Sequence, residues 1–306
     1  MNARAKYFQP ELLSRIARLE LRARHVVEGF VSGLHKSPYK GFSVEFANHR
    51  PYVPGDDIRH IDWRVYAKAD RFFIKEYEEE TNMRVRLLLD ASASMAYPEH
   101  ADGQRMTKWQ YAATLAASLA YLLVYQRDAV GLTLFDDEIR HELPGSTNPG
   151  TLTTLTTALE QHAPQRRTDL GAVFSRLAGE LPRRGLLVIL SDLLTDVDDL
   201  VRGLQRFRFH RHDVIVLHVL DHDELTFPFA DRTLFEGMEM LDQEVLTDPQ
   251  SLRNSYLVAL RAFLRRVETA CLDTRVDYAL ISTAEPLDVA LTTFLATRMR
   301  RQRAKA

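Results

Sequence analysis

The run Leu87–Met95, LLLDASASM, places an aspartate at the end of an apolar stretch and serines two and four positions later. Asp90, Ser92 and Ser94 thus offer a carboxylate and hydroxyls from one short loop. Two later segments end in similar groups. RRTDL carries Thr168 at the head of an expected helix, and GLLVILSD carries Ser191 and Asp192 after another apolar run. No thiolate and no imidazole belongs to the set Asp90, Ser92, Ser94, Thr168 and Asp192. Oxygen-only coordination suits Mg²⁺, Mn²⁺ or Ca²⁺ and suits zinc poorly. Side chains at i, i+2 and i+4 along a turning loop can converge on one cation. An EF-hand uses that spacing, but Ala101 stands where its bidentate glutamate belongs and Met95 where its glycine belongs.

Each segment taken alone has a plainer reading. Asp and Ser after a strand often cap the next helix. Thr168 reads as an N-cap whose hydroxyl also faces an ion. Asp192 can be a strand-end carboxylate paired with a helix N-terminus. Metal binding is favoured because the segments occur together.

The elements that must position these groups follow from hydrophobic rhythm. From residue 84 the chain alternates strand and helix. Strands are expected at 85–90, 130–135, 138–143, 185–191, 213–220 and 276–281, most of them continuous apolar runs of the kind covered by helices on both faces. Helices are expected at 107–127, 149–161, 169–180, 197–209, 250–273 and 286–301. Asp136-Asp137 forms a tight hairpin, so the third strand should be antiparallel. The alternation predicts an α/β fold, a doubly wound and mostly parallel sheet with helices on both faces. Ligands of such sheets sit beyond the carboxyl ends of strands where the strand order reverses. If strands 85–90 and 185–191 flank that point, all the candidate residues reach one small volume.

Residues 221–249 are too long for a plain loop and read as an inserted β-hairpin in a domain spanning 84–306. Residues 1–83 form a separate N-terminal region. In it Leu12, Ile16, Leu19, Ala23, Val26 and Phe30 mark one helix face, and a turn-rich stretch from 36 onward suggests β-ribbons joined at Pro54-Gly55.

Composition narrows the function classes. Apolar residues make up 45% of the 306, and the formal net charge of -2 with a pI near 6.6 points away from nucleic acid as the main partner. Cys271 is the lone cysteine, so no intrachain disulfide can form, in keeping with an expected cytoplasmic location. The opening residues lack the apolar core of a signal peptide. WQYAATLAASLAYLLVY (109–125) is short and interrupted by polar residues, whereas a membrane span needs about twenty predominantly apolar ones. It is expected to be a buried helix, with no integral membrane segment.

DASAS, the threonine of RRTDL and the aspartate of LSD resemble the metal-ion-dependent adhesion site of von Willebrand factor A domains. GFSVEFANHRPYVPGDDIRHIDWRVYAKADRFFIKEYEEE upstream resembles the signature of the von Willebrand factor A-like family called domain of unknown function 58. LFEGMEMLDQEVLTDPQSLRNSYL and VDYALISTAEPLDVAL downstream are similar to that family as well. The resemblance implies that Ser92, Ser94 and Thr168 ligate a metal directly or nearly so, and that Asp90 and Asp192 act directly or through water. It also implies a partner class, the MoxR-type AAA+ ATPases, and an adaptor or co-chaperone role.

The expected function is therefore a non-catalytic, divalent-metal-dependent protein-interaction module, with a partner's acidic residue completing the metal's coordination. The rivals are a metal-assisted phosphohydrolase using Asp90 and a structural α/β protein with an empty site. Haloacid-dehalogenase-type phosphatases carry a second aspartate where Ser92 stands here, so the proton-transfer group is missing. His218 and His222 straddle a strand end and read as structural or surface residues. The basic RFRFHRH (206–212) reads as a helix C-terminus, where cations are favourable.

Overall fold

The apolar run before Asp90 becomes a fully buried strand, because helices cover the sheet on both sides. The computed structural model describes residues 43–53, 61–63, 65–66, 71–80, 83–98, 105–182, 184–239 and 244–290, with backbone alone at 43–50 and 74–80. Two compact units are present: one lies within 35–83, and the other contains everything described from residue 84 onward.

In the smaller unit, β1 (Ser43–Pro51) pairs antiparallel with β2 (Phe73–Glu80), with a register shift between Phe46 and Asn48. The expected ribbon is thus a pairing of segments separated by residues 52–72. Asp62 serves inside this unit: its N–H donates to the Phe73 carbonyl and its Oδ1 accepts from Val65 N–H. The expected helix face from Leu12 to Phe30 and the Pro54-Gly55 turn lie outside the described residues.

The larger unit is built on a six-stranded sheet. Its strands are β3 (Arg84–Asp90), β4 (Ala129–Phe135), β5 (Ile139–Ser146), β6 (Leu186–Ser191), β7 (Asp213–Leu220) and β10 (Asp277–Ser282), in the order β10-β7-β6-β3-β4-β5. All neighbours run parallel except β5, which returns antiparallel along β4 through the Asp136-Asp137 hairpin. β5 extends to Ser146, three residues beyond the expected end, because the ladder continues past a register shift to pair Ser146 with Val130. The chain goes from β3 to β4 on one side and later to β6 on the other, so the strand order reverses at β3.

One face of the sheet carries α3 (Leu170–Glu180), α4 (Val197–Phe209) and α6 (Pro249–Asp273). Leu88, Ile189 and Val216 meet Phe174, Leu204, Phe207 and Val267 there in one core. The helices α3 and α4 approach closely at Gly203, where a Cβ would stand 2.6 Å from Phe174 Cδ2. Strand alternation sends Leu87 and Leu89 to the other face. That face is covered by α1 (Lys108–Tyr125), which also packs on α2 (Thr151–Gln161). Burial of α1 nearly all round explains its lack of a polar face. Its interrupting polar groups are satisfied internally, Thr114 and Ser118 donating to the carbonyls four residues back. Among the described residues no helix is long and apolar enough to cross a membrane.

The expected insertion contains a short helix, α5 (His222–Thr226), followed by the antiparallel pair β8 (Thr233–Glu236) and β9 (Glu244–Thr247). Residues 287–290 begin the last expected helix, and its remainder lies outside the described residues.

Candidate functional site

β3 and β6 lie side by side, so their carboxyl ends bring Asp90 and Ser191-Asp192 together. Asp90 is fully buried, and its two oxygens are held separately: Oδ1 accepts from Ser92 N–H at 2.9 Å and Oδ2 accepts from the Ser191 hydroxyl at 2.6 Å. Ser191 Oγ in turn accepts from Leu193 N–H at 2.9 Å. That contact uses a left-handed backbone at Leu193, with φ 53°, the kind of local strain that clusters at functional loops.

The loop after β3 turns through a short 3-10 segment, Ala93–Ala96, which brings Ser92 Oγ and Ser94 Oγ to 3.1 Å from each other. The loop before α3 is laid against this turn by two backbone bonds, Ala93 N–H to Arg166 O and Gln165 N–H to Ala91 O, both 2.8 Å. Thr168 follows directly. Asp90, Ser92, Ser94 and Asp192 therefore lie at neighbouring strand tips, Thr168 lies on the loop laid against them, and all are buried.

The capping readings do not hold. Ser92 makes no side-chain cap bond, and α1 is instead capped by Thr107 in a reciprocal capping box with Gln110. Thr168 is not the N-cap of α3. Asp169 takes that place, its Oδ1 accepting from Ala172 N–H at 2.9 Å, because the carboxylate sits nearer the third amide of the helix. Thr168 Oγ1 is left buried with no hydrogen-bond partner. Asp192 does not pair with a helix end either; α4 is capped by Asp196.

Asp192 instead meets Lys108, a residue that spacing alone did not single out. Lys108 Nζ is 2.7 Å from Asp192 Oδ2 and 2.7 Å from Glu224 Oε1, and its side chain is almost wholly buried. Burial works against the charge on Lys108, but the two carboxylates outweigh it and raise the ammonium's pKa above its ordinary value. Burial likewise works against the charge on Asp192, and Lys108 outweighs it, so this carboxyl stays below the usual range. Among the described residues no basic side chain pairs with Asp90. Burial and then repulsion from Asp192 push it up to about 7, against the hydrogen bonds from Ser191 and Ser92. A signal for Lys108 was present in the sequence. A lysine at the start of an otherwise apolar helix opposes the helix dipole and needs an acidic partner.

Glu224 links the insertion to the site: its Oε2 accepts from Asp221 N–H at 2.7 Å in the cap of α5. Beside these residues lies a cavity of about 680 Å³, bounded by Ser94, Lys108 and Glu224 on the polar side and by Phe227, Phe229, Leu234, Phe235 and Tyr256 on the apolar side. Glu239, from the insertion, also reaches the site, where its Oε2 accepts from Thr168 N–H at 3.2 Å. Nothing in its sequence context distinguished it from neighbouring acids.

His218 is a structural residue. Its ring is buried on β7, and burial lowers its pKa to about 4, so the imidazole is neutral. Nε2 must donate to the Asp192 carbonyl at 2.8 Å, which leaves Nδ1 to accept from the Tyr278 hydroxyl at 2.9 Å.

The donor types fit a hard divalent cation: Asp90, Ser92, Ser94 and Asp192 stand at neighbouring strand tips, and the Thr168 hydroxyl, on the loop laid against them, is buried without a partner. Among the described residues no three His, Cys, Asp or Glu side chains form a metal-ligand cluster, so any ion here would depend on serine and threonine oxygens. Lys108 is held protonated between two carboxylates, and Asp90 is surrounded by hydroxyls and amides.

The chain is 27% identical over 257 residues to uncharacterized proteins of Mycobacterium bovis and Mycobacterium tuberculosis, a span covering 83% of this chain and 79% of theirs. Similar solved structures include the hypothetical protein BatB from Bacteroides thetaiotaomicron, at 14% identity and TM-score 0.43 over 71% of this chain and 99% of that one. An aerotolerance-related membrane protein from Bacteroides fragilis gives 16% identity and TM-score 0.45, with 70% and 97% of the chains covered. The von Willebrand factor A domain of SpRpn10 gives 11% and 0.39, with 71% and 95% covered. Residues 48–263 match the family described as protein of unknown function DUF58, and the chain belongs to that family.

Proposed function

We propose that the strand-tip site binds one divalent cation, Mg²⁺ in the first place with Mn²⁺ or Ca²⁺ as substitutes, and that the protein is a non-catalytic, metal-dependent interaction module. The observation that carries this reading is the Thr168 hydroxyl, buried beside the strand-tip loop with no hydrogen-bond partner. A neutral hydroxyl can rotate to donate or accept, so one buried without a partner fits a place that faces a cation. Ser92, Ser94 and Thr168 would hold the ion, with Asp90 and Asp192 as direct or water-mediated ligands. A bound cation supplies an electrophilic position that an acidic side chain of another protein can complete.

The residues of this chain prepare that position. Ser191 and Ser92 N–H fix both oxygens of Asp90. Lys108 holds one oxygen of Asp192 and balances its charge, which limits that residue's share of the ion and favours contact through water. The hydroxyl ligands add no negative charge, which leaves the cation more attractive to an incoming carboxylate.

The partner is proposed to be a MoxR-type AAA+ ATPase in the cytoplasm, with this protein as its adaptor or co-chaperone. Support comes from membership of the DUF58 family and the resemblance of the motif to the adhesion-type site. The test mixes the purified protein with a MoxR-type ATPase from the same cell, with Mg²⁺ and then with excess chelator. Binding that requires Mg²⁺ and fails in Asp90→Ala supports the adaptor role. Binding that is equal under all conditions would remove the metal from the account.

A further inference from the structure

Thr168 and Glu239 are joined by one hydrogen bond, yet each keeps a second polar atom with none. The Thr168 N–H donates to Glu239 Oε2 at 3.2 Å. Thr168 Oγ1 and Glu239 Oε1 are both buried and neither has a hydrogen-bond partner. A hydroxyl rotates freely and a carboxylate accepts through both oxygens. Two such groups on residues already in contact ordinarily satisfy each other, and leaving both open is costly. Their arrangement makes sense if both oxygens face a third group that is positive. Thr168 itself is more than nine-tenths buried, so bulk water is not that group.

We propose that Glu239 is an internal ligand of the strand-tip cation, facing the same ion as Thr168 Oγ1 and occupying the position that a partner's acidic side chain would take; since no three acidic side chains cluster among the described residues, Asp90 and Asp192 would then reach that ion through water. This inference rests on the metal-binding reading above and deepens it. Glu239 follows β8 in the insertion, and α5 of that insertion is tied to the site through Glu224, Lys108 and Asp192. The insertion would then serve as a self-supplied cap. A partner's carboxylate would have to replace Glu239 rather than fill an open position, so binding would be a competition between two acids for one cation. The chemical class recognised is a carboxylate, and the simplest probe is acetate.

The experiment uses chelator-stripped full-length protein and calorimetric titration with Mn²⁺ and Mg²⁺, comparing wild type, Glu239→Gln and Glu239→Ala, with thermal melting of each metal-free protein. In Glu239→Gln the amide oxygen still accepts from Thr168 N–H, so the metal-free fold should melt no lower than wild type. Its metal affinity should fall by about 10–100-fold, the range lost when even a supporting group of a metal site is removed. Added acetate should restore metal affinity in Glu239→Ala and leave wild type unchanged. If wild type binds metal and both variants bind it equally well, Glu239 only braces the Thr168 loop. This inference would then fall while the metal-binding reading stands. If wild type binds neither metal, both are overturned.

Discussion

The Lys108 ammonium stands between Asp192 and Glu224, 2.7 Å from an oxygen of each. It joins the start of α1, the tip of β6 and the insertion in one buried cluster. Removing one member of a buried ion pair leaves an uncompensated charge, which typically costs roughly 3–5 kcal/mol. Lys108→Met should therefore lose stability on that scale in urea unfolding. A divalent cation at the proposed site brings positive charge back beside Asp192. Added Mg²⁺ should recover more stability in Lys108→Met than it adds to wild type, and a variant as stable as wild type would show that the pair contributes little.

Thr168 and Asp169 are adjacent and should behave differently. Asp169 caps α3, so Asp169→Ala should cost about 0.5–2 kcal/mol of stability and leave metal affinity in place. Thr168 Oγ1 caps nothing. Thr168→Ala should melt within a few degrees of wild type and lose metal affinity, and Thr168→Ser should retain it. Parallel melts and metal titrations of the three variants decide this. Normal metal affinity in Thr168→Ala would remove Thr168 from the ligand set.

The close approach of α3 and α4 can be tested away from the site. A Cβ on residue 203 would lie 2.8 Å from Phe174 Cβ, backbone-anchored and unable to swing aside. Gly203→Ala should destabilise the protein by about 1–3 kcal/mol, the usual range for overpacking. It should leave metal affinity unchanged, because the helices can part locally without moving the strand tips. Denaturant midpoints and one metal titration check both halves.

Much of this architecture was legible before any coordinates. Uninterrupted apolar runs such as LLVILS require cover on both faces, and the strand order reverses at β3 as the alternation implied. Spacing also singles out Asp90, Ser92, Ser94 and Asp192, which topology brings to neighbouring strand tips because strand ends are local signals, and Thr168 on the adjoining loop; their part as metal ligands is the proposal. Thr168 is not the cap that the sequence suggests, since Thr and Asp are both good caps and only geometry shows which one reaches the third amide. Glu224 and Glu239 were not legible at all. Each comes from the insertion, and no local pattern tells which acid of DELTFPFADRTLFEGMEM folds back onto the strand tips. Lys108 was readable in principle from its place at the head of an apolar helix.

A catalytic role would show as turnover. Ser92 stands where haloacid-dehalogenase-type phosphatases carry their second aspartate, and Lys108 is held protonated between two carboxylates. Assays of p-nitrophenyl phosphate and nucleotides with Mg²⁺ should show no rate above that of Asp90→Asn. A rate in wild type that vanishes in that variant would replace the binding-module account with a phosphohydrolase.

The central claim is that the strand tips bind one divalent cation, and calorimetric titration of the chelator-stripped protein tests it most directly. The account predicts saturable one-site binding of Mg²⁺ or Mn²⁺, within the range of about 10⁻⁵–10⁻³ M covered by the weaker oxygen-ligand cation sites, and its loss in Asp90→Ala. Absence of saturable binding in wild type across that range, or identical binding in Asp90→Ala, would contradict it.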